Sequence, residues 1–120
     1  MFKLEENVSL KKYNSFGIQV FSKKFFLLTE TSQLKKLFKQ SQGKSIRVHG
    51  GGSNMLLTKN YDGLTLVIGT KGISILSEDE GSVLVEVQAG ENWHEFVLWC
   101  LKHNYGGVEN LALIPGSVGA

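Results

Sequence analysis

The residues best suited to chemistry here are glycines. Gly50-Gly51-Gly52-Ser53-Asn54 comes directly after the apolar stretch Ser45-Ile46-Arg47-Val48-His49. Three successive residues without Cβ let a ligand approach the backbone closely and let the chain adopt φ > 0. Consecutive N–H groups in such a loop form a concave nest for anionic oxygens, and Ser53 and Asn54 add side-chain donors. A diphosphate fits a nest of this kind; a plain flexible turn is the alternative. A second segment, Pro115-Gly116-Ser117-Val118-Gly119-Ala120, also combines small residues with potential N–H donors. It either opens a helix, with Pro at an early position, or turns between elements.

Two glycine-rich segments in one chain fit an extended ligand clasped from two sides, and a dinucleotide such as FAD has that length. Two common phosphate motifs are absent. The Rossmann fingerprint needs a third glycine where Met55 stands, and Leu56-Leu57-Thr58 does not open a helix. Gly43-Lys44-Ser45 has the end of a P-loop, but Phe38 occupies the place of that motif's first glycine, inside a helical pattern. His49, His94 and His103 have no metal-ligand spacing and read as structural or surface residues, so no metal is expected. Cys100 sits on an apolar helix face and reads as packing. Glu91, Glu95 and Glu109 stand without paired carboxylates, so no catalytic acid–base couple is visible in this chain.

The elements that must hold these loops are legible from pattern. Phe25-Phe26-Leu27-Leu28 reads as a buried strand, after a polar and irregular stretch to Ser22. Thr31 or Ser32 can cap a helix whose stripe is Leu34, Leu37 and Phe38, and Gly43 ends it. Ser45 to His49 is a second strand. Leu64 to Ile68 is a third, entered through the turn dipeptide Asp62-Gly63. Ile73 to Leu76 and Val83 to Ala89 form strands around a turn at Glu78-Asp79-Glu80-Gly81. Asn92 caps the clearest helix, running to about His103, with Trp93, Phe96, Val97, Cys100 and Leu101 facing inward. Glu95 is placed to complete a reciprocal cap. Leu111 to Ile114 is a short apolar run. This order predicts an α+β or α/β fold with mixed strand directions.

The 120 residues suffice for one modest domain or two small lobes. All but Arg47 of the 13 basic residues are lysines, spread along a chain of net charge +2, so no nucleic-acid surface is expected. The single cysteine fits a reducing compartment. No apolar run approaches the roughly 18 residues a membrane span needs, and no signal peptide is seen. A cytoplasmic location and no membrane partner are the expectation.

Four motifs in order carry a family resemblance: Asn14-Ser15-Phe16-Gly17, His49 to Leu56, Ala89-Gly90-Glu91-Asn92-Trp93-His94, and Gly107 to Ala120 with its Glu109-Asn110-Leu111 and Ile114-Pro115-Gly116 pieces. Together they span nearly the whole chain. They resemble the enolpyruvoyl-glucosamine reductase family of peptidoglycan synthesis, also called UDP-N-acetylmuramate dehydrogenases. The resemblance implies an α+β FAD-binding domain of the vanillyl-alcohol-oxidase type, with mixed sheets and a few helices, incomplete at the C-terminus. It implies FAD as cofactor, NADPH as electron donor and a nucleotide-sugar substrate. It implies a first FAD lobe with an N-terminal extension over 1–70 and the start of a second over 71–120. The cofactor contacts implied are Gly50, Gly51, Gly52, Ser53, Asn54, Met55, Leu56, Ile114, Pro115, Gly116, Ser117 and Gly119. The family's catalytic Ser, Glu and Arg and its substrate domain lie downstream of the last motif, so none is assigned here. The isolated chain is expected to be a fragment without turnover. The alternatives are another FAD-dependent oxidoreductase of the same fold and a non-catalytic nucleotide-binding module.

Overall fold

The computed structural model describes residues 3–41 and 43–120. Its organising element is a four-stranded sheet. The strands are β1 (Glu5–Ser9), β2 (Phe21–Leu28), β3 (Ile46–His49) and β4 (Tyr61–Ile68), in spatial order β1-β2-β4-β3. β4 runs parallel to both β2 and β3, while β1 lies antiparallel to β2. Parallel neighbours require crossover connections. The first is built around α1 (Leu34–Gln40). The second, from β3 to β4, contains the glycine loop.

The central position of β4 explains its composition. Residues Gly63 to Val67 are buried in an unbroken run, as expected for a strand covered on both faces. Alternate residues feed two cores. Phe26, Leu28, Leu64 and Leu66 pack with Leu37 of α1 on one face. Phe25 and Val67 pack with Leu10, Val20 and Leu57 on the other, covered by the N-terminal segment. Between β2 and β4, Ser22 and Thr65 share a buried hydroxyl hydrogen bond at 2.7 Å.

Several expectations require correction. The stretch to Ser22 is not irregular: it contains β1, a 3-10 turn at Lys11–Tyr13 and the start of β2. Its polarity reflects an edge strand with one face to solvent. Asp62-Gly63 is not an entry turn but lies inside β4. The register there runs Ser22↔Tyr61 and then Lys24↔Leu64, so β4 carries an extra residue opposite Lys23. A strand glycine at such an irregularity is the mark of a bulge, and a Cβ at Gly63 would sit 2.6 Å from the Ser45 carbonyl oxygen. Thr31 and Ser32 lie within a 3-10 turn, Thr31–Gln33, preceding α1. Its entry is organised by Gln33, whose Oε1 accepts the Glu30 N–H at 3.2 Å. Leu37 is buried, but Phe38 is half exposed because α1 covers the sheet with a narrower face than its stripe. The helix stops at Gln40, and Gly43 (φ 75°) follows in the left-handed region.

After β4 comes a hairpin, β5 (Ile73–Glu78) with β6 (Val83–Val87), forming a separate two-stranded sheet. Its turn is held by Asp79 Oδ1, which accepts the N–H groups of Gly81 and Ser82 at 2.8 Å each. Then follows α2 (Trp93–Lys102). Asn92 caps it as expected, accepting the Glu95 N–H at 3.0 Å. Val97 and Cys100 are buried, whereas Leu101 is exposed, correcting its place on the inward face. Leu101 lies one residue beyond Cys100, at the margin of the buried face. The run before Pro115 contains a 3-10 turn, Glu109–Leu111, and Leu113 is left-handed (φ 65°) and exposed. Pro115 to Ala120 opens no helix; Ser117 instead forms an antiparallel bridge with Asn92. Both hydrophobic clusters among the described residues lie within residues 4–68.

Candidate functional site

β2, β3 and β4 end side by side, and a cleft of about 490 Å³ opens beyond their carboxyl ends. Leu27, Val67, Ile68 and Gly69 form its floor. Open sheets with parallel strands place ligand sites at this end, because the connecting loops diverge there.

The glycine loop forms one wall, with Gly50, Gly51 and Ser53 lining the cleft. Pro115, Gly116 and Ser117 form the opposing wall. The two segments touch. A Cβ on Gly50 would come 2.8 Å from Ser117 Oγ, and one on Gly51 would come 3.6 Å from Gly116 Cα. A Cβ on Gly116, itself at φ 116°, would approach Ser53 Oγ to 3.3 Å. Glycine at these positions lets two backbones meet around a shared space.

Neighbouring segments set both walls. Gly52 (φ 69°) is buried under the N-terminal turn: its Cβ would fall 1.9 Å from the Tyr13 carbonyl oxygen. Ser15 N–H donates to the Gly52 carbonyl at 3.1 Å. Asn14 locks that turn, with Nδ2 donating to Leu10 O at 2.8 Å and Ile18 O at 3.1 Å. Its Oδ1 accepts the Ile18 N–H at 2.9 Å. The opposite wall is zipped to residues 89–93 through Trp93 N–H to Gly116 O (3.0 Å), Val118 N–H to Glu91 O (2.8 Å) and Gly119 N–H to Ala89 O (2.9 Å).

Not every expected contact residue lines the cleft. Gly52 supports the loop from behind. Met55 packs against the N-terminal core, while Asn54, Leu56 and Ile114 are exposed outside the cleft. Gly119 packs on Ala89, where a Cβ would stand 2.6 Å from the alanine's own. Sequence reasoning missed Lys12, Tyr13, Ser15, Gly69, Lys71, Gly90 and Asn92, which also line the cleft. Gly90 and Asn92 were signalled by the Ala89–His94 motif, and Ser15 by the Asn14–Gly17 motif. The two lysines carried no local signal.

The titratable groups behave structurally. His49, the last residue of β3, is wholly buried and neither ring nitrogen has a hydrogen-bond partner. Burial, and then the charge of Arg47, hold its pKa below 6.5. His94 Nδ1 accepts the Leu113 N–H at 3.1 Å, tying α2 to the final segment. Burial raises the Cys100 thiol pKa, which fits packing rather than nucleophilic use. Among the described residues no group of His, Cys, Asp or Glu is arranged to hold a metal. No helix among them is long and apolar enough to cross a membrane.

Comparison with known proteins decides the family. The FAD binding domain family matches residues 23–120. This chain belongs to that family. The chain is 48% identical over 117 residues to the UDP-N-acetylenolpyruvoylglucosamine reductase of Flavobacterium johnsoniae, covering 98% of this chain and 35% of that protein. The Pseudomonas putida reductase is 47% identical over 118 residues, with 97% of this chain and 35% of the relative covered. The chain thus spans about a third of the length of the curated relatives it matches. The fold is shared with the crystal structure of UDP-N-acetylenolpyruvylglucosamine reductase from Thermus caldophilus. The TM-score there is 0.70 at 22% identity, over 99% of this chain and 41% of that one. The expected α+β FAD-binding fold with mixed sheets is therefore the observed one.

The cleft of this FAD-binding domain suits its cofactor. Among the described residues its charged lining residues are Lys12 and Lys71, both cationic, and FAD carries an anionic diphosphate. Ser117 Oγ is buried at the cleft wall with no hydrogen-bond partner, an uncommon condition that a polar ligand relieves. The closely apposed glycines leave open the volume that side chains would fill.

Proposed function

We propose that this chain is the FAD-holding part of a reductase that converts UDP-N-acetylglucosamine enolpyruvate to UDP-N-acetylmuramate, with NADPH as electron donor, in peptidoglycan synthesis. The observation that carries this reading is the meeting of the Gly50–Ser53 loop with the Pro115–Ser117 segment across one cleft, in a chain closely similar to reductases of that name. In this reading residues 1–70 are the first FAD lobe with its N-terminal extension, and 71–120 begin the second. Gly50, Gly51, Ser53, Pro115, Gly116 and Ser117 line the cofactor's cleft, and Gly52, Asn54, Met55, Leu56, Ile114 and Gly119 complete the two segments that carry them. Bound FAD would carry the hydride between donor and substrate. These residues supply backbone donors and a fitted wall, and Lys12 and Lys71 beside them supply positive charge. No acid, base or nucleotide-sugar clamp is assigned among them, so residues 1–120 alone are inactive. The setting is the cytoplasm.

The test is a titration of FAD into the purified chain, followed by flavin fluorescence and visible absorbance, with NADPH oxidation measured alongside. FAD binds weakly or substoichiometrically, since part of the buried contact belongs to the remainder of the relatives' length. NADPH is not consumed. Absence of any flavin binding overturns the cofactor role, and substrate-dependent turnover by this chain overturns the claim of inactivity.

A further inference from the structure

Among the described residues, the cleft lining has two charged side chains and no carboxylate. Lys12 reaches it from the N-terminal 3-10 turn, and Lys71 from the segment joining β4 to β5. Neither is locked in a close ion pair among the described residues. The Lys71 ammonium donates to the Gly90 carbonyl at 2.6 Å, which fixes its position without neutralising it. Its carboxylate neighbour, Glu91, stands at 3.5 Å and uses Oε1 to accept the Gly72 N–H at 2.8 Å. Lys12 has no ion-pair partner among the described residues, and its Nζ rests 5.1 Å over the Tyr13 ring. The nearest contact of each cation is thus a neutral group, with Glu91 adding a longer ion pair to Lys71. Lys23, by contrast, holds the Asp62 carboxylate directly at 2.7 Å.

We propose that Lys12 and Lys71 are the charge partners of the cofactor's diphosphate, one on each side of the cleft, and that they select FAD over flavins lacking a diphosphate. The proposal rests on the reading of the cleft as the FAD site. Lys12 is fixed to the glycine-loop wall, because Ser15 N–H donates to Gly52 O and Asn14 braces the turn that carries it. Lys71 is fixed to the other wall, because its anchor Gly90 belongs to the strip that carries Gly116 to Gly119. A diphosphate between them neutralises both and ties the walls together, a long-range effect that salt screens.

The test compares the chain with Lys12→Gln, Lys71→Gln, Lys71→Arg and a control outside the cleft, Lys59→Gln. FAD and riboflavin are titrated by flavin fluorescence at low and moderate salt, and thermal melts confirm folding. Each Gln substitution in the cleft weakens FAD binding by about five- to tenfold at low salt and flattens the salt dependence of the FAD Kd. Riboflavin binding is unchanged, Lys71→Arg retains affinity, and Lys59→Gln matches the parent. Equal losses for FAD and riboflavin, or an unaltered FAD Kd and salt slope, overturn the proposal while leaving the FAD reading intact. Failure of the parent chain to bind any flavin sinks that reading and the proposal with it.

Discussion

Ser15 donates its backbone N–H to the carbonyl of Gly52 at 3.1 Å, fastening the N-terminal turn to the glycine loop. Through this bond a segment near the start of the chain shapes a ligand wall that follows β3. The loop and its fastener should therefore fail together.

Gly52 and Gly51 separate packing from binding. Gly52→Ala places a methyl in a left-handed backbone (φ 69°) at 1.9 Å from Tyr13 O, which the backbone cannot accept without displacement. A left-handed non-glycine alone costs of order 1–3 kcal/mol, and the clash adds to it. Circular dichroism melts should show a large loss of stability or no folded protein. Gly51→Ala meets only an ordinary contact at 3.6 Å, so it folds normally. Its methyl projects toward Gly116, and the FAD Kd should rise while the Tm holds.

Asn14 makes three hydrogen bonds from a buried side chain. Asn14→Ala leaves the Leu10 and Ile18 backbone groups without these partners, a loss of about 2–3 kcal/mol. Chemical denaturation should report it. Because the turn also carries Lys12, FAD affinity should fall even at temperatures where the variant is fully folded.

His49 predicts a pH dependence. Its pKa is depressed in the folded chain and returns to about 6.5 on unfolding, so the unfolded state binds the extra proton. Stability is fully present above pH 6.5 and declines as pH falls below it toward the folded value. His49→Leu removes two unpartnered ring nitrogens from the interior. It should leave the Tm unchanged or higher at neutral pH, and flatten the decline between pH 6.5 and 5 in melts recorded across that range.

Asn92 serves both α2 and the cleft. Asn92→Asp keeps a good N-cap, whereas Asn92→Ala costs about 1 kcal/mol. Only the aspartate adds a negative charge to the cleft lining. Stability should thus fall for the alanine variant, and FAD affinity should fall most for the aspartate variant, with the difference shrinking in salt.

Much of the site was legible in order along the chain. The glycine loop, the small-residue segment at Pro115 and the Asn92-capped helix rest on local rules: absence of Cβ, turn chemistry, a cap and a helical stripe. The interiors of β2, β3 and β4 announced themselves as apolar runs. Asp62-Gly63 misled because the same dipeptide serves a turn and a bulge, and only the pairing of β4 with β2 distinguishes them. β1 was invisible because a polar edge strand exists by virtue of its partner, not its own pattern.

What the sequence by itself determined was which backbones could come close: Gly50 to Gly52 and Gly116 have no side chains to prevent it. The tertiary structure alone decided that they come close to each other. Crossover connections bring three strand ends together, and the bonds from residues 89–93 carry the final segment back across them. It also decided which of many lysines face that space. Charge placement follows from long-range chain geometry, whereas the freedom of a glycine backbone is fixed by the absence of a single atom.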